Sequence, residues 1–506
     1  MATSAGRGFL YITFAKGWFM VAGFATQSAL TRLLEKSVWG EYSLVTKTVS
    51  LINNVIVAAT IATIARMVVQ NEAHHGVVTR TALVAQGVVG AALVALLALL
   101  AFPFGHFLAD QHLVPYLQLT LGVTLCYSLY TVFIGTANGR REFNKQAGLD
   151  ITFSTLKTTL VLGGAALGLG LRGALGGFVA AALVITVIAA LWIGPGPKPP
   201  ADVRLPLGRL YSFLGLMIVY VLLQNAVLVL DIWLLKKLVG EAALASGTAV
   251  EAARTHANEV VGIYSAVQNL SFLPFQGVLA ITFVIFPLVS KSTFEGDASK
   301  TRAYVASTLR YTLLLAAAIA VPFFANPGGS LRLVSGAGYE EGAVALRVLS
   351  LGGIGIGILA VMGSILNGSS RSGSAIAMVS CTCFVVVVIA FLTVGRAANP
   401  ALAAAIATSS GVTAGIAVGG IRMRSTLGAF LPPLSVLRVT AAIAAAGLVG
   451  HYLPAGGKVL TLVDCGVAEA IFLAVLVTTR ELSLAELRQA RAIARSGAGV
   501  AQAEAT

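Results

Sequence analysis

Four basic side chains lie inside long apolar stretches of the sequence, where a charge is costly. They are Lys16, Lys47, Lys157 and Arg310. An ionisable side chain at the centre of a membrane costs about 2.5–3.5 kcal/mol on insertion scales, so such residues persist where they face water, a partner or a ligand. Lysine binds phosphate as a point charge. We predict that these cations line a wet cavity that accepts an anion; for Lys47 and Arg310, snorkelling to the membrane surface is the alternative.

Uncharged polar side chains follow the same helical faces. Asn54 lies seven residues after Lys47, which is two helical turns, and the same spacing separates Gln224 from Asp231. Stripes of this kind are expected on water-lined helices. The candidates for hydrogen bonds to a hydroxyl-rich ligand are Asn53, Asn54, Gln224, Asn225, Gln268 and Asn269.

Acidic residues are rarer within the apolar stretches. Asp231 is predicted to pair with Lys236 or Lys237, or to bind a coupling cation, and Glu469 is predicted to pair with Arg438. The interior is therefore net cationic. The four cysteines lack metal-ligand spacing in a loop. We predict no catalytic residue, no metal site and no cofactor.

The composition identifies the environment of these charges. Hydrophobic residues make up 57% of the 506 residues, charged residues only 11%, and the mean hydropathy is +0.88. A soluble domain carries roughly 25% charged residues. The chain is therefore predicted to be an all-α polytopic membrane protein. In such a protein the net charge of +14 indicates basic cytoplasmic loops rather than binding to nucleic acid.

Apolar runs of about 20 residues, the length that crosses a bilayer as a helix, predict about fourteen transmembrane helices. Their approximate limits are 8–31, 41–66, 81–103, 114–136, 148–169, 173–194, 208–235, 260–289, 303–325, 341–367, 373–395, 400–421, 433–453 and 458–479. With both termini cytoplasmic, nineteen of the 34 Lys and Arg residues fall in inside segments and nine in outside segments. This bias agrees with the positive-inside rule.

Two halves of the chain repeat one another. Gly40-x-Tyr42-Ser43-x-Val45 returns as Gly262-x-Tyr264-Ser265-x-Val267, and Asn138-Gly139 returns as Asn367-Gly368. Each pair lies six spans apart, and an even offset preserves direction, so the halves are predicted to be parallel repeats with a cavity between them. The predicted parts are an N-terminal six-helix lobe (1–195), a cytoplasmic Pro-rich linker (196–207), a C-terminal six-helix lobe (208–424), two extra helices (425–480) and a cytoplasmic tail (481–506).

Several segments together resemble the polysaccharide transporter family, the O-antigen and exopolysaccharide flippases. The similar segments include "WGEYSLV", "TANGRREFNKQAGLDI", "VLDIWLLKKLVG", "VVGIYSAVQNLSFLPFQ" and "SILNGSSRSG". The family belongs to the superfamily that also contains lipid II flippases and multidrug and toxin extrusion antiporters. The resemblance implies two six-helix lobes that alternate between inward and outward openings, and an oligosaccharide linked to undecaprenyl diphosphate as the passenger. It also implies that Lys16, Lys47, Lys157 and Arg310 belong to a cation-lined lumen.

The sequence therefore predicts a non-enzymatic flippase that moves a polyprenyl-diphosphate-linked oligosaccharide from the cytoplasmic to the periplasmic leaflet of a bacterial inner membrane. Its partners would be that lipid-linked substrate, membrane lipids, and polysaccharide polymerase and chain-length proteins. A cation-coupled multidrug antiporter is the first alternative, although it would need an acidic cavity. A membrane polymerase or glycosyltransferase is the second, although it would need a large periplasmic loop.

Overall fold

The computed structural model describes residues 2–71, 74–196, 215–453 and 457–483. Most of the predicted linker, the start of the seventh predicted span and nearly all of the predicted tail lie outside these ranges. Six helices form the N-terminal lobe: α1 (Ala2–Leu33), α2 (Lys36–Gln70), α3 (His75–Phe107), α4 (Val114–Gly139), α5 (Phe143–Gly164) and α6 (Gly170–Ile193).

The described C-terminal lobe begins at residue 215. Its helices are α7 (Gly215–Val227), α8 (Leu230–Ala245), α9 (Val250–Ser271), α10 (Leu273–Phe294), α11 (Ala298–Ala325), the short α12 (Pro327–Ser335), α13 (Ala343–Gly368), α14 (Ser372–Thr393) and α15 (Pro400–Leu427). Two further helices follow, α16 (Pro433–Tyr452) and α17 (Lys458–Thr478), and they pack on α11. Within the described residues the fold is all-α, as predicted.

Ten helical segments of the described chain are long and apolar enough to cross a membrane, or eleven if one bent pair counts as a single span. That pair is α7 and α8, which meet at an angle of 48°. One of the ten segments runs from Phe143 to Ile193, and it contains a reversal. Gly168 adopts a φ of +76° there, and α5 and α6 then pack antiparallel, with Gly148 beside Trp192. The polytopic membrane fold is confirmed, and the count of fourteen stays a prediction.

The eighth predicted span is broken as well. Helix α9 ends at Ser271 and α10 begins at Leu273, with a proline in its first turn. Proline lacks the N–H that would continue the hydrogen-bond ladder of α9. The break puts Gln268 and Asn269 in the last turn of α9, near the middle of the predicted span.

The two copies of the Gly-x-Tyr-Ser motif pack against each other. Helices α2 and α9 cross at Gly40 and Gly262. A Cβ atom added to Gly40 would overlap the carbonyl oxygen of Asn258, and one added to Gly262 would overlap that of Lys36. Each carbonyl belongs to the residue four positions before the opposite glycine, so the contact is nearly twofold symmetric. Only glycine permits the two backbones to approach this closely.

The second repeated pair is also alike in its backbone. After Asn138, the amide of Arg141 donates to the Asn138 carbonyl and Arg141 has a φ of +60°. After Asn367, the amide of Ser370 donates to the Asn367 carbonyl and Ser370 has a φ of +59°. Both helices therefore end in the same left-handed turn. The two pairs of repeated motifs therefore agree in local geometry as well as in sequence.

Candidate functional site: a cationic cavity at the lobe interface

A polar cavity of about 130 Å³ lies beside the crossing of α2 and α9. Helices α1, α2, α5 and α6 of the N-terminal lobe form most of its wall, and Asn269 of α9 contributes from the C-terminal lobe. Two of the predicted cations, Lys47 and Lys157, line it. The cavity is smaller than the roughly 300 Å³ or more of a typical pocket for a drug-sized ligand. At this size it accommodates a small polar group rather than an oligosaccharide.

Neither of these ammonium groups is paired with an acid. Lys47 Nζ donates to Gln268 Oε1 at 2.6 Å, and Lys157 Nζ lies 4.3 Å from the centre of the Phe178 ring. No carboxylate of the described residues lies within 4.0 Å of either nitrogen. A cation–π contact stabilises an ammonium only partly, by about 0.5–2 kcal/mol. The positive charge of the cavity is therefore not paired with a carboxylate in direct contact.

Two further residues of α2 in the cavity wall have polar atoms without a hydrogen-bond partner among the described residues. Trp39 and Ser43 line it, each is about 2% exposed, and neither Trp39 Nε1 nor Ser43 Oγ has a hydrogen-bond partner among the described residues. Buried polar atoms are normally satisfied, so exceptions require an explanation. Residues 39, 43 and 47 follow one another at intervals of four and therefore share one face of α2. This face of α2 therefore carries two unsatisfied donors on residues that line the cavity together with Lys47.

Asp231 is buried next to the cavity in a dense hydrogen-bond network. Its carboxylate accepts from Tyr264 Oη at 2.7 Å, from Thr408 Oγ1 at 3.0 Å and from Gln268 Nε2 at 2.8 Å to each oxygen. The prediction that Asp231 pairs with Lys236 or Lys237 is wrong, because both lysines form ion pairs with other carboxylates. Lys236 pairs with Asp110 and Lys237 with Glu241.

The pairing of Lys236 belongs to a buried polar network that joins the lobes. Lys236 Nζ lies 2.8 Å from Asp110 Oδ2 and 2.5 Å from Asn258 Oδ1, and Asn258 Nδ2 donates to Glu41 Oε1 at 2.7 Å. Asp110 and Glu41 belong to the N-terminal lobe, Lys236 and Asn258 to the C-terminal lobe. Lys36 and Glu341 add a more exposed pair across the interface at 3.1 Å. The lobes are therefore bound together at the end of α2 that contains Gly40.

The other two predicted cavity cations have carboxylate partners. Lys16 Nζ lies 3.0 Å from Asp150 Oδ2, and its side chain is 63% exposed. Arg310 lies in the C-terminal lobe, where its Nε is 2.8 Å from Glu481 Oε1. Neither residue is among those that line the cavity. The structure thus brings Lys47 and Lys157 together and leaves Lys16 and Arg310 outside.

Glu481 also corrects the prediction for Arg438. Arg438 Nη1 lies 3.1 Å from Glu481 Oε2. Arg438 therefore pairs with Glu481, just beyond α17, and not with Glu469 as predicted. Glu469 Oε2 has no hydrogen-bond partner among the described residues. Burial raises the pKa of Glu481, but the hydrogen bonds from Arg310, Ser435 and Arg438 outweigh it and hold that pKa below its usual value.

The predicted polar lining is divided among three environments. Asn269 lines the cavity, and Gln268 lies behind it, bonded to Lys47. Asn54 Nδ2 donates to Asn225 Oδ1 at 2.8 Å, which is another contact between the lobes. Asn53 is buried, and Gln224 accepts from Tyr220 Oη at 3.3 Å.

Sequence reasoning missed Trp39 and Ser43 as lining residues, and Glu41, Asp110 and Asn258 as lobe-joining residues. The signal for the first two was present, because Ser43 stands in the repeated motif, Trp39 directly precedes it, and both share the face of Lys47. The second group had no local signal. Asp110 and Lys236 lie far apart in the sequence, and only the association of the lobes brings them together.

The family of the chain follows from a sequence comparison. A model described as "Polysaccharide biosynthesis protein" matches residues 29–341, which is more than half of the chain. The chain belongs to this family. The match includes every residue that lines the cavity except those of α1 before position 29. No curated protein sequence matches the chain.

Solved structures identify the fold of this family member. A lipid II flippase MurJ in an inward closed conformation superposes with a TM-score of 0.71 over 94% of this chain and 99% of its own, at 12% sequence identity. An outward-facing multidrug resistance MATE transporter of the MOP superfamily gives a TM-score of 0.56 over 84% and 96%, at 14% identity. A MOP superfamily transporter from Pyrococcus furiosus gives 0.52 over 83% and 93%, at 15% identity. The polysaccharide biosynthesis family member therefore has a fold like that of the MurJ and MATE structures, and the resemblance noted in the sequence is confirmed.

Proposed function

We propose that the protein is a flippase that moves a polyprenyl-diphosphate-linked oligosaccharide from the cytoplasmic to the periplasmic leaflet by alternating access. One observation carries this proposal. Lys47 and Lys157 face one polar cavity between the lobes, and neither has an acidic partner there. The family match to polysaccharide biosynthesis agrees with a sugar-containing passenger.

An anionic passenger follows from the energetics of these two lysines. A charge inside a membrane protein is costly unless it is solvated or paired. A diphosphate would supply the missing negative charge, and its oxygens would accept from Trp39 Nε1 and Ser43 Oγ, which lack partners. The polyprenyl tail would stay in the lipid, because burying it in a polar cavity gains nothing. Asn269 would then donate to sugar or phosphate oxygens.

The contacts between the lobes support alternating access. The contacts near Gly40 and Gly262 bind one end of the interface, and the cavity beside them is too small for an oligosaccharide. Translocation therefore requires these contacts to open while the opposite ends of the lobes approach each other. The network of Glu41, Asp110, Lys236 and Asn258 would close the cavity on the periplasmic side.

The remaining roles are part of the same proposal. The protein would act in the bacterial inner membrane with both termini cytoplasmic, would catalyse no reaction, and would work beside a polysaccharide polymerase and chain-length proteins. Asp231 is the candidate for ion coupling, since it is a buried carboxylate next to the cavity. A cation–drug antiporter is disfavoured because the unpaired charges of the cavity are positive.

Flipping in proteoliposomes tests the proposal. Purified protein is reconstituted with a fluorescent polyprenyl-diphosphate oligosaccharide, and the fraction that becomes accessible to an external sugar oxidant is followed with time. Wild type should flip the lipid, and Lys157→Met should slow flipping by about tenfold or more, because one charge-assisted contact is lost. Lys291→Met is the matched control, since that lysine is 75% exposed and outside the cavity.

Two results would contradict the proposal. One is a wild-type protein that flips no diphosphate-linked lipid but exports cationic drugs. The other is a Lys157→Met variant that flips as fast as Lys291→Met.

An imposed proton or sodium gradient tests Asp231 separately: coupling predicts faster flipping with the gradient in wild type and no acceleration in Asp231→Asn.

A further inference from the structure

Gln268 stands between the cavity and the buried acid. Its side chain is fully buried at the end of α9. Its Nε2 donates to both oxygens of Asp231, and its Oε1 accepts from Lys47 Nζ. The three side chains form a chain of hydrogen bonds that begins in the N-terminal lobe and ends in the C-terminal lobe.

The chemistry of the two neighbours determines the orientation of this amide. An ionised carboxylate only accepts hydrogen bonds and an ammonium only donates them. Asp231 therefore requires the NH₂ group of Gln268 on its side, and Lys47 requires the carbonyl oxygen on the other. Both requirements are met by one orientation. Asp231 is itself held by Tyr264 and Thr408, so the carbonyl of Gln268 is presented to Lys47 from a rigid base.

The bond between Lys47 and Gln268 crosses the lobe interface, so it exists only while the lobes touch at this end. Alternating access has to break it. Lys47 is then left with an unpaired ammonium, and the cavity that it lines is where an anion would reach it. Gln268 and an anion therefore compete for the same ammonium.

We propose that Gln268 is a positioning residue that holds the Lys47 ammonium by a hydrogen bond while the lobes are in contact; we call this bond the latch. When the lobes separate, the diphosphate of the substrate replaces Gln268 as the partner of Lys47. This inference rests on the proposed function, because it needs an anion that binds in the cavity. Anion binding and lobe separation are then linked, and the linkage is reciprocal. The role of Gln268 is thus to regulate the site rather than to contact sugar.

Inorganic diphosphate is the probe for the first test, and its dissociation constant is measured by calorimetry on the full-length protein in nanodiscs. Gln268→Met keeps the length of the side chain but removes the competing oxygen. It should raise the affinity for diphosphate by roughly tenfold or more, about the effect of one hydrogen bond to a charged group. Damage to the fold would lower the affinity, so a rise separates the latch from a purely structural role.

Matched variants complete the design. Gln118→Met is the control, because Gln118 bonds only within the N-terminal lobe, to the carbonyl of Ala98 at 3.2 Å. Lys47→Gln combined with Gln268→Met should bind no better than Lys47→Gln alone. Should Gln268→Met fail to fold, Asp231→Asn is the substitute. Without the carboxylate, the Gln268 amide is no longer held with its oxygen toward Lys47, so the affinity for diphosphate should also rise, by a smaller factor.

Hydrogen exchange supplies the second readout. Diphosphate should accelerate amide exchange severalfold in peptides that contain the ends of α2 and α9 near Gly40 and Gly262, and should do so in wild type but not in Lys47→Gln. The latch is contradicted if Gln268→Met binds diphosphate no more tightly than wild type, or if diphosphate leaves amide exchange in wild type unchanged. Either result leaves the proposed function standing. A wild type that binds no diphosphate overturns the anion site of the proposed function and the latch with it.

Discussion

The two copies of the repeated motif share a backbone arrangement and differ in chemistry. Gly40 and Gly262 make the same close approach to the opposite helix. Seven residues after each glycine stand Lys47 and Asn269, and both line the same cavity. The copy in the N-terminal lobe thus supplies charge, and the copy in the C-terminal lobe supplies a neutral amide. The two copies thus have the crossing of the helices in common, while the side chains around it differ.

The cations of the two lobes differ in the same way. In the N-terminal lobe, Lys47 and Lys157 face the cavity without acidic partners. Arg310 of the C-terminal lobe and Arg438 of the extra helix α16 share the carboxylate of Glu481, whose side chain is 2% exposed. The first two cations are those to which the proposed function assigns a ligand, whereas the second pair fixes Glu481, just beyond α17, to α11 and α16. A basic residue within an apolar helix therefore has two uses in this molecule.

The largest expected effect comes from breaking the shared crossing. Gly40→Ala and Gly262→Ala each place a methyl group against a backbone carbonyl of the other helix, and each should cost about 3 kcal/mol by overpacking. Both should lower the melting temperature in detergent by several degrees and slow flipping. Gly163→Ala is the control, because no atom lies near its added Cβ. If only one of the two variants is destabilised, the two glycines contribute unequally to the stability of the crossing.

Exchanging Lys47 and Asn269 tests whether the positive charge of the cavity has to come from the N-terminal copy of the motif. Lys47→Asn should weaken diphosphate binding by about tenfold to a hundredfold, the equivalent of a hydrogen bond to a charged group of roughly 1.5–3 kcal/mol. Since residue 269 lines the same cavity, Lys47→Asn combined with Asn269→Lys should recover most of the affinity. Calorimetry measures both. A double variant as weak as the single variant would mean that the position of the charge matters as much as its presence.

The smallest effect concerns the charges of the C-terminal lobe. The pKa of Glu481 is lowered in the folded protein, so its contribution to stability is present above the ordinary value of about 4.5 and is lost as the pH falls through the lower folded value. Glu481→Gln should therefore melt a few degrees below wild type at pH 7, and the difference should shrink below pH 4.5. Its diphosphate affinity should be unchanged. A large change in that affinity would place Arg310 in the substrate path.

Much of the fold was predictable because lipid imposes a simple rule on the sequence. Each helix in a membrane must present an apolar surface of bilayer length, so Leu, Val and Ala runs mark the helices. Local breaks were harder to foresee. The interruption between Ser271 and Leu273 depends on one proline within a continuous apolar run, and the α7–α8 bend leaves no comparable mark in the sequence.

The candidate site was predictable only in part. Lys47, Lys157 and Asn269 were chosen for their polarity within apolar helices, and the cavity contains all three. The same criterion selected Lys16 and Arg310, which meet Asp150 and Glu481. Polarity shows that a residue needs a partner, but not whether that partner is a ligand or a carboxylate from a distant helix.

The sequence by itself determined the membrane environment, the repeated Gly-x-Tyr-Ser motif and the excess of positive charge, because each depends on composition or on neighbours along one helix. Only the tertiary structure decided which cations remain unpaired, since that depends on helices separated by a hundred residues or more. It also decided that Gln268 joins Lys47 to Asp231. That arrangement requires the two lobes to meet, and no local pattern encodes their distance.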